Sequence, residues 1–256
     1  MQIIPVPCLK DNFAYLILNQ HSEALMVDPS ESQPLIDALA QYQARPLAIL
    51  NTHHHWDHTG GNAGLLEVFP ELEVYAHASD QGRIPGQTHF LEGGDLFQLA
   101  GFNFRVLFNP GHTLGAVSYA VGQALFTGDT LFAAGCGRIF EGTPAQMYHS
   151  LNQIIGACPL ETELYFGHEY TTHNLEFALE VEPLNSDIQA RLEATRAARQ
   201  QGHFSTPSTL RLERKTNPFL RCEEPAVIAF TESVEPGRPH TPEDIFRVLR
   251  AVKDRF

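Results

Sequence analysis

Little in this 256-residue sequence is basic: 17 Lys and Arg stand against 30 Asp and Glu, a formal net charge of −13. Such a chain lacks the electrostatic footprint needed for a phosphate backbone, which argues against nucleic acid as its main partner. No stretch approaches the roughly 18 consecutive apolar residues of a membrane-spanning helix, so no membrane association is expected. The opening residues MQIIPVPCLKDNFAYLILNQ have neither a basic start nor a small-residue cleavage site, which speaks against a secretory signal. Cysteine is scarce: Cys8, Cys136, Cys158 and Cys222 are far apart and form no C-x-x-C pair. They are expected to be reduced thiols in a cytoplasmic protein. Gly and Pro, at 19 and 17, are ordinary and exclude collagenous or low-complexity chains. What remains is enough chain for one large domain or two smaller ones with a real core.

The charge is unevenly divided. Residues 1–168 hold 5 Lys and Arg against 16 Asp and Glu, for −11, whereas residues 169–256 hold 12 against 14, for −2. The texture changes at the same place. Before Tyr170, segments rich in β-branched and aromatic residues (NFAYLILNQ, EALMVDP, LAILN, EVYAH, FNFRVLFN, AVSYAVG, QALFTG, ELYFG) read as short strands, the first two joined at Gln20–Ser22. Helices are predicted between them at Gln33–Tyr42, Asn62–Phe69 and Thr143–Ile155. The last is marked by a Thr143/Gln146 capping box, Pro144 at the first helical position and Gly156 beyond the end. After Tyr170, Asn174–Glu182, Ser186–Gln201 and a segment opened by Thr241 and Pro242 read as helices, with a Ser/Thr/Pro-rich interruption at Ser205–Thr209. Strands with interleaved helices followed by helices alone predict a sheet-based domain over 1–168 and a helical one over 169–256.

The chemistry is concentrated at strand ends. Thr52-His53-His54-His55-Trp56-Asp57-His58 follows the apolar LAIL, and places four of the 13 histidines within six positions beside a carboxylate. Imidazole and carboxylate are the usual ligands of zinc and similar divalent ions. In an extended backbone His53, His55 and Asp57 would point to one side, while the adjacent Asp57 and His58 would diverge. The pattern recurs at Gly111-His112, Gly128-Asp129 and Gly167-His168, each at the end of an apolar strand. Glycine permits the sharp turn there, and a strand end holds a ligand rigidly. Together His53, His55, Asp57, His58, His112, Asp129 and His168 make seven candidate ligands. One tetrahedral site uses about four, so seven suit two ions with a bridging carboxylate and a shared water or hydroxide.

On these residues the chain resembles the metallo-β-lactamase superfamily, whose T-H-x-H-x-D-H motif fits THHHWDH. The further segments PGHTLG, GDTLF, GCGR, FEGT, GHEYT, NPFLR and KDRF span nearly the whole sequence and resemble the glyoxalase II (hydroxyacylglutathione hydrolase) family. The resemblance implies an α/β (α+β) fold, an αββα sandwich followed by a C-terminal α-helical domain. It implies that His53, His55 and His112 hold one metal, that Asp57, His58 and His168 hold a second, and that Asp129 bridges. It further implies hydrolysis of S-D-lactoylglutathione to D-lactate and glutathione by a metal-bridging hydroxide, as the second step of methylglyoxal detoxification. Asp57 and Asp129 would be catalytic as ligands that position the hydroxide. Glutathione would be bound by Arg138, Tyr170, Arg250 and Lys253, the last two an i, i+3 pair projecting to one side of the final helix. The ions would be two per chain, zinc first, with iron or manganese compatible with the same donors. The partner would be a small-molecule glutathione thioester, and nothing in the sequence demands more than a monomer.

Two positions depart from some relatives in that family: Arg138 stands where they have a lysine, keeping charge but changing donor geometry, and Phe140 where they have a tyrosine, removing a hydroxyl. His54 is the variable position of the motif and is expected to point away from the metals. His77, His89, His149, His173, His203 and His240 are expected to be surface or capping residues, and Cys136 a small packed one. The rivals are another enzyme of the superfamily, such as a lactonase, a β-lactamase, a ribonuclease or a single-iron persulfide dioxygenase, and a non-catalytic module with a structural metal. Structural sites are typically closed by Cys and His, and no cysteine here is placed as a ligand.

Overall fold

The structure is a computed structural model that describes residues 1–237 and 241–256; the reading of His240 lies outside these. Two six-stranded sheets form its centre. In the first, β1 (Gln2–Cys8), β2 (Asn12–Leu18), β3 (Glu23–Val27), β4 (Arg45–Leu50), β5 (Glu73–His77) and β6 (His89–Leu91) lie side by side in chain order. The first three pair antiparallel and the rest parallel. The second sheet contains β7 (Leu96–Leu99), β8 (Phe102–Phe108), β9 (Val117–Val121) and β10 (Ala124–Gly128). Its hairpin neighbour is the small ribbon of β11 (Leu131–Phe132) and β12 (Gly135–Cys136). The second sheet is completed by β13 (Glu163–Phe166) and β14 (Ser208–Thr209), in the order β14-β13-β10-β9-β8-β7.

Strand β2 shows why the sheets stack. All seven of its residues are buried. Phe13, Tyr15 and Ile17 face the second sheet and meet Phe104, Val106, Tyr119 and Phe126. Ala14, Leu16 and Leu18 face the other way, against Leu35 and Leu39 of α1 (Ser32–Gln41) and Leu65, beyond the short α2 (Trp56–Thr59), in α3 (Asn62–Val68). Side chains alternate along a strand, so a strand apolar at every position must be covered on both faces. The outer face of the second sheet is covered in turn by helices: Leu125 and Leu164 pack with Met147, Leu151, Phe177, Phe219, Phe246 and Leu249. The layers are therefore helix, sheet, sheet, helix, as expected.

Helices dominate the C-terminal third: α4 (Pro144–His149) precedes it, then come α5 (Thr171–Val181), α6 (Ser186–Gln200), α7 (Leu210–Thr216), α8 (Pro225–Val234) and α9 (Pro242–Lys253). Helices are not alone there, however. β14 lies inside this region and pairs antiparallel with β13, because the backbone groups on the free edge of β13 need partners. The capping box at Thr143 and Gln146 forms, but the predicted helix to Ile155 does not run straight. From Ser150 to Ile154 it widens to a π-helical turn, followed by a 3₁₀ turn at Ile155–Ala157. Ser150 donates its hydroxyl to the Pro110 carbonyl at 2.7 Å, and Asn152 donates to the Phe219 carbonyl at 3.2 Å. Both bonds tie the segment to the chain beside it. Among the described residues, no helix is long and apolar enough to cross a membrane.

Candidate metal centre

The seven singled-out side chains converge in one place, at the C-terminal ends of β4, β8, β10 and β13. His53, His55 and His112 offer ring nitrogens within 4.8 Å of one another, and a carboxylate oxygen of Asp57 lies equally close to ring nitrogens of His58 and His168. Asp129 lies between the two groups: its carboxylate oxygens are 3.2 Å from His58 Nε2, 3.5 Å from His112 Nε2 and 3.3 Å from His168 Nε2.

One local expectation is corrected. The backbone after His55 is not extended, because Trp56–Thr59 form the helical turn α2. Asp57 therefore reaches the site from a helix rather than by strand alternation. Asp57 and His58 do not diverge either: Asp57 Oδ2 is 3.9 Å from His58 Nε2, since successive helical residues differ by about 100° and not by the 180° of a strand.

Residues that the local pattern does not reveal orient these rings. Asp28, buried in the bend after β3, accepts from the Thr52 amide at 2.7 Å, the Thr52 hydroxyl at 2.6 Å and His58 Nδ1 at 3.1 Å. Asp28, His53 and His58 also lie within 4.8 Å of one another, but Asp28 meets the far nitrogen of His58 and is committed to these three donors. Asp11 accepts from His168 Nδ1 at 2.9 Å, and the Arg138 carbonyl accepts from His112 Nδ1 at 2.7 Å. A partner on the outer nitrogen fixes the tautomer and aims the inner one. His54 does turn away, placing Nδ1 3.1 Å from Asp80 Oδ1 and Nε2 2.5 Å from Arg83 Nη2.

Close packing is what makes the centre compact. A Cβ on Gly137 would overlap the Asp129 carbonyl, and one on Gly167 would overlap the Asp129 carboxylate. Glycine is required at both by contact, with no special backbone angle involved.

Electrostatics separate the two groups. Burial lowers His53 far below the ordinary imidazole range, and burial with the nearby His112 takes His55 down to about 4. These rings are held neutral, the form in which an imidazole serves as a metal ligand. Burial opposes charge on His58 and His168 too, but the Asp129 carboxylate overrides it and raises them to about 10 and 11. Burial would likewise raise the Asp129 carboxyl, yet the His168 and His58 charges hold it well below the usual range. Without an ion, protons supply the positive charge that these carboxylates demand. Buried His58 Nε2 and Asp129 Oδ1 face each other 3.2 Å apart, and neither makes a hydrogen bond. Two buried ligand atoms so close together and without a hydrogen bond fit a cation, so the residues present suit a divalent metal centre.

The centre opens into a cavity of about 570 Å³. His55, Asp57, His112, Asp129 and His168 line one part of it, and Arg138, Arg250 and Lys253 another. Tyr170 stacks on His168 with ring centroids 4.7 Å apart, while Phe140 stands edge-on to His55 and His112. Arg138 is on the rim, with its side chain 65% exposed, whereas Arg250 is buried. Burial together with the Arg250 charge lowers Lys253 to about 8. Of the remaining histidines, His77 caps the 3₁₀ turn at Ala78–Asp80 although it is buried, and His89 stacks on Tyr75. Cys136 is buried beside Arg250.

Comparison with known proteins agrees with this geometry. Residues 10–168 match the metallo-beta-lactamase superfamily, and residues 169–256 match the hydroxyacylglutathione hydrolase C-terminus. Hydroxyacylglutathione hydrolase of Synechococcus sp. (strain JA-2-3B'a(2-13)) is 47% identical over 259 residues, covering 100% of both chains. That of Synechocystis sp. (strain ATCC 27184 / PCC 6803 / Kazusa) is 46% identical over 264 residues, again covering 100% of both. Among solved structures, TTHA1623 in a di-iron-bound form superposes with a TM-score of 0.60 at 29% identity, covering 85% of this chain and 100% of that one. With its strand-end ligands, layered sheets and helical C-terminal region, the chain belongs to the hydroxyacylglutathione hydrolase family of the metallo-beta-lactamase superfamily.

Proposed function

We propose that this chain hydrolyses S-D-lactoylglutathione to D-lactate and glutathione, with two divalent ions, zinc first, held by His53, His55 and His112 and by Asp57, His58 and His168, and bridged by Asp129. The observation that carries this reading is the single cavity that joins the metal centre to the cations of α9. A glutathione thioester has an electrophilic carbonyl at one end and two carboxylates on its peptide, and the cavity offers a counterpart to each.

A bound divalent pair supplies Lewis acidity and makes water nucleophilic near neutral pH. The chain's own residues do the rest. Asp57 and Asp129 are held ionised, and the partners on the outer ring nitrogens keep His58, His112 and His168 aimed inward. Lys253 and the exposed Arg138 present charge to the peptide carboxylates, and Tyr170, held by its stack on His168, borders the path between the two ends. Arg250 shapes this end of the cavity from beneath. A thiol leaves readily as thiolate, since its pKa is about 8.5, so no general acid is required of the chain. An amide nitrogen would need one. This favours a thioester over a lactam as substrate.

In this reading residues 1–168 supply the metal ligands and residues 169–256 most of the glutathione contacts, in a cytoplasmic monomer. The test is steady-state hydrolysis of S-D-lactoylglutathione with and without a chelator. Fast, chelator-sensitive turnover is expected. No turnover by protein carrying two ions per chain would reject the substrate while keeping the centre, and would turn attention to lactones and other thioesters.

A further inference from the structure

We propose that Asp11, the last residue of the turn between β1 and β2, and Asn12, the first of β2, are positioning residues that set how tightly the Asp57/His58/His168 cluster holds its ion, independently of the His53/His55/His112 cluster. This rests on the two-ion reading above.

These two consecutive residues touch two of the three side chains in that cluster. Asp11 Oδ1 accepts from His168 Nδ1 at 2.9 Å, which leaves His168 Nε2 facing Asp57 Oδ2 at 3.5 Å and Asp129 Oδ2 at 3.3 Å. Asn12 Nδ2 donates to the Asp57 carbonyl at 3.0 Å and to Asp57 Oδ2 at 3.3 Å. The backbone locks the turn to the loop that carries His168: Glu169 N–H donates to the Asp11 carbonyl and Phe13 N–H to the Gly167 carbonyl, both at 2.8 Å. Leu9, at φ 49°, begins the turn, and its amide donates to Glu31 Oε2 at 2.6 Å. The geometry is thus fixed from both sides, and its outcome is a carboxylate behind one imidazole and an amide behind one carboxylate.

The other cluster is backed differently. His112 Nδ1 meets the neutral Arg138 carbonyl at 2.7 Å, and His53 Nδ1 lies 3.1 Å from the Thr52 hydroxyl. Neither ring is bonded to the β1–β2 turn. A carboxylate acceptor makes an imidazole a stronger ligand than a neutral acceptor does, and removing such an outer partner lowers metal affinity by about 10- to 100-fold. Asp11 is also partly exposed, with 30% of its side chain accessible, so its carboxylate is not needed to fill the core.

The experiment loads wild type, Asp11→Ala, Asp11→Asn and Asn12→Ala with zinc, titrates each with a chelator, and reads zinc equivalents retained per chain. Repeating it with cobalt(II) gives the absorption of each ion. Asp11→Ala is expected to release one of two equivalents at about 10- to 100-fold lower chelator strength, with the other released as in wild type. Asp11→Asn, which keeps an acceptor oxygen, should fall between them, and Asn12→Ala should loosen the same equivalent. Melting temperatures of the metal-free proteins should agree, which separates a positioning role from misfolding. Release of both equivalents at the wild-type point, or an equal shift of both, would overturn the proposal. Wild type that holds only one equivalent would overturn the two-ion reading itself, and this assignment with it, before any variant is compared.

Discussion

Arg250 Nη1 donates to the Cys136 carbonyl at 2.7 Å, so the final helix is fastened to the hairpin that floors the cavity. Its Nη2 lies 3.1 Å from Asp254 Oδ1, and its guanidinium sits 5.2 Å from the centroid of the Phe219 ring. A buried cation so committed holds the wall of the site in place, and any contact with substrate adds to that task.

Arg250→Ala should therefore act on stability as well as on binding. The loss of a charge-assisted hydrogen bond predicts a destabilisation of about 2 kcal/mol, read as a lower denaturant midpoint, together with a raised KM. Arg138→Ala, on the rim, should raise KM at unchanged stability. Equal midpoints for wild type and Arg250→Ala would contradict the fastening role.

Lys253 gives a pH signature. Burial first, and the neighbouring Arg250 charge second, lower it to about 8. It is charged below that pH and neutral above, so attraction for an anionic substrate is present at pH 7 and lost as pH rises through 8. The ratio kcat/KM should fall with KM rising across pH 7–9. In Lys253→Met that limb should vanish and KM should be high throughout. A limb that persists in the variant would assign it to another group.

Asp129→Ala removes the carboxylate that lies between the two clusters. Metal content and activity should fall together, activity by on the order of 10³. Retention of two ions with activity intact would defeat the bridging assignment.

Gly137→Ala tests the closeness of the chain behind Asp129. The added methyl collides with the Asp129 carbonyl, and backbone cannot yield as a flexible side chain can. A cost of about 1–3 kcal/mol is expected, accompanied by weakened metal retention through displacement of Asp129. Unchanged metal affinity would show that the hairpin can shift without moving the carboxylate.

The sequence alone determined the elements whose signals are local. The β-branched runs, the Thr143/Gln146 box and the Gly-His and Gly-Asp strand ends can each be read within a few residues, and all seven candidate ligands were legible in this way. Only tertiary structure decided what depends on residues distant in the chain. Asp11 lies 157 positions from His168, and Asp28 lies 30 from His58, so no local pattern could couple them. The switch from extended to helical backbone at Trp56 was equally hidden, because Asp57 is polar and fits either course. Strand β14 is two residues long and exists because the edge of β13 needs partners. Arg250 read as half of a basic i, i+3 pair on one side of the final helix, and packing buried it: helix periodicity gives the side to which a residue projects, but the neighbouring elements determine whether water or a carbonyl meets it there.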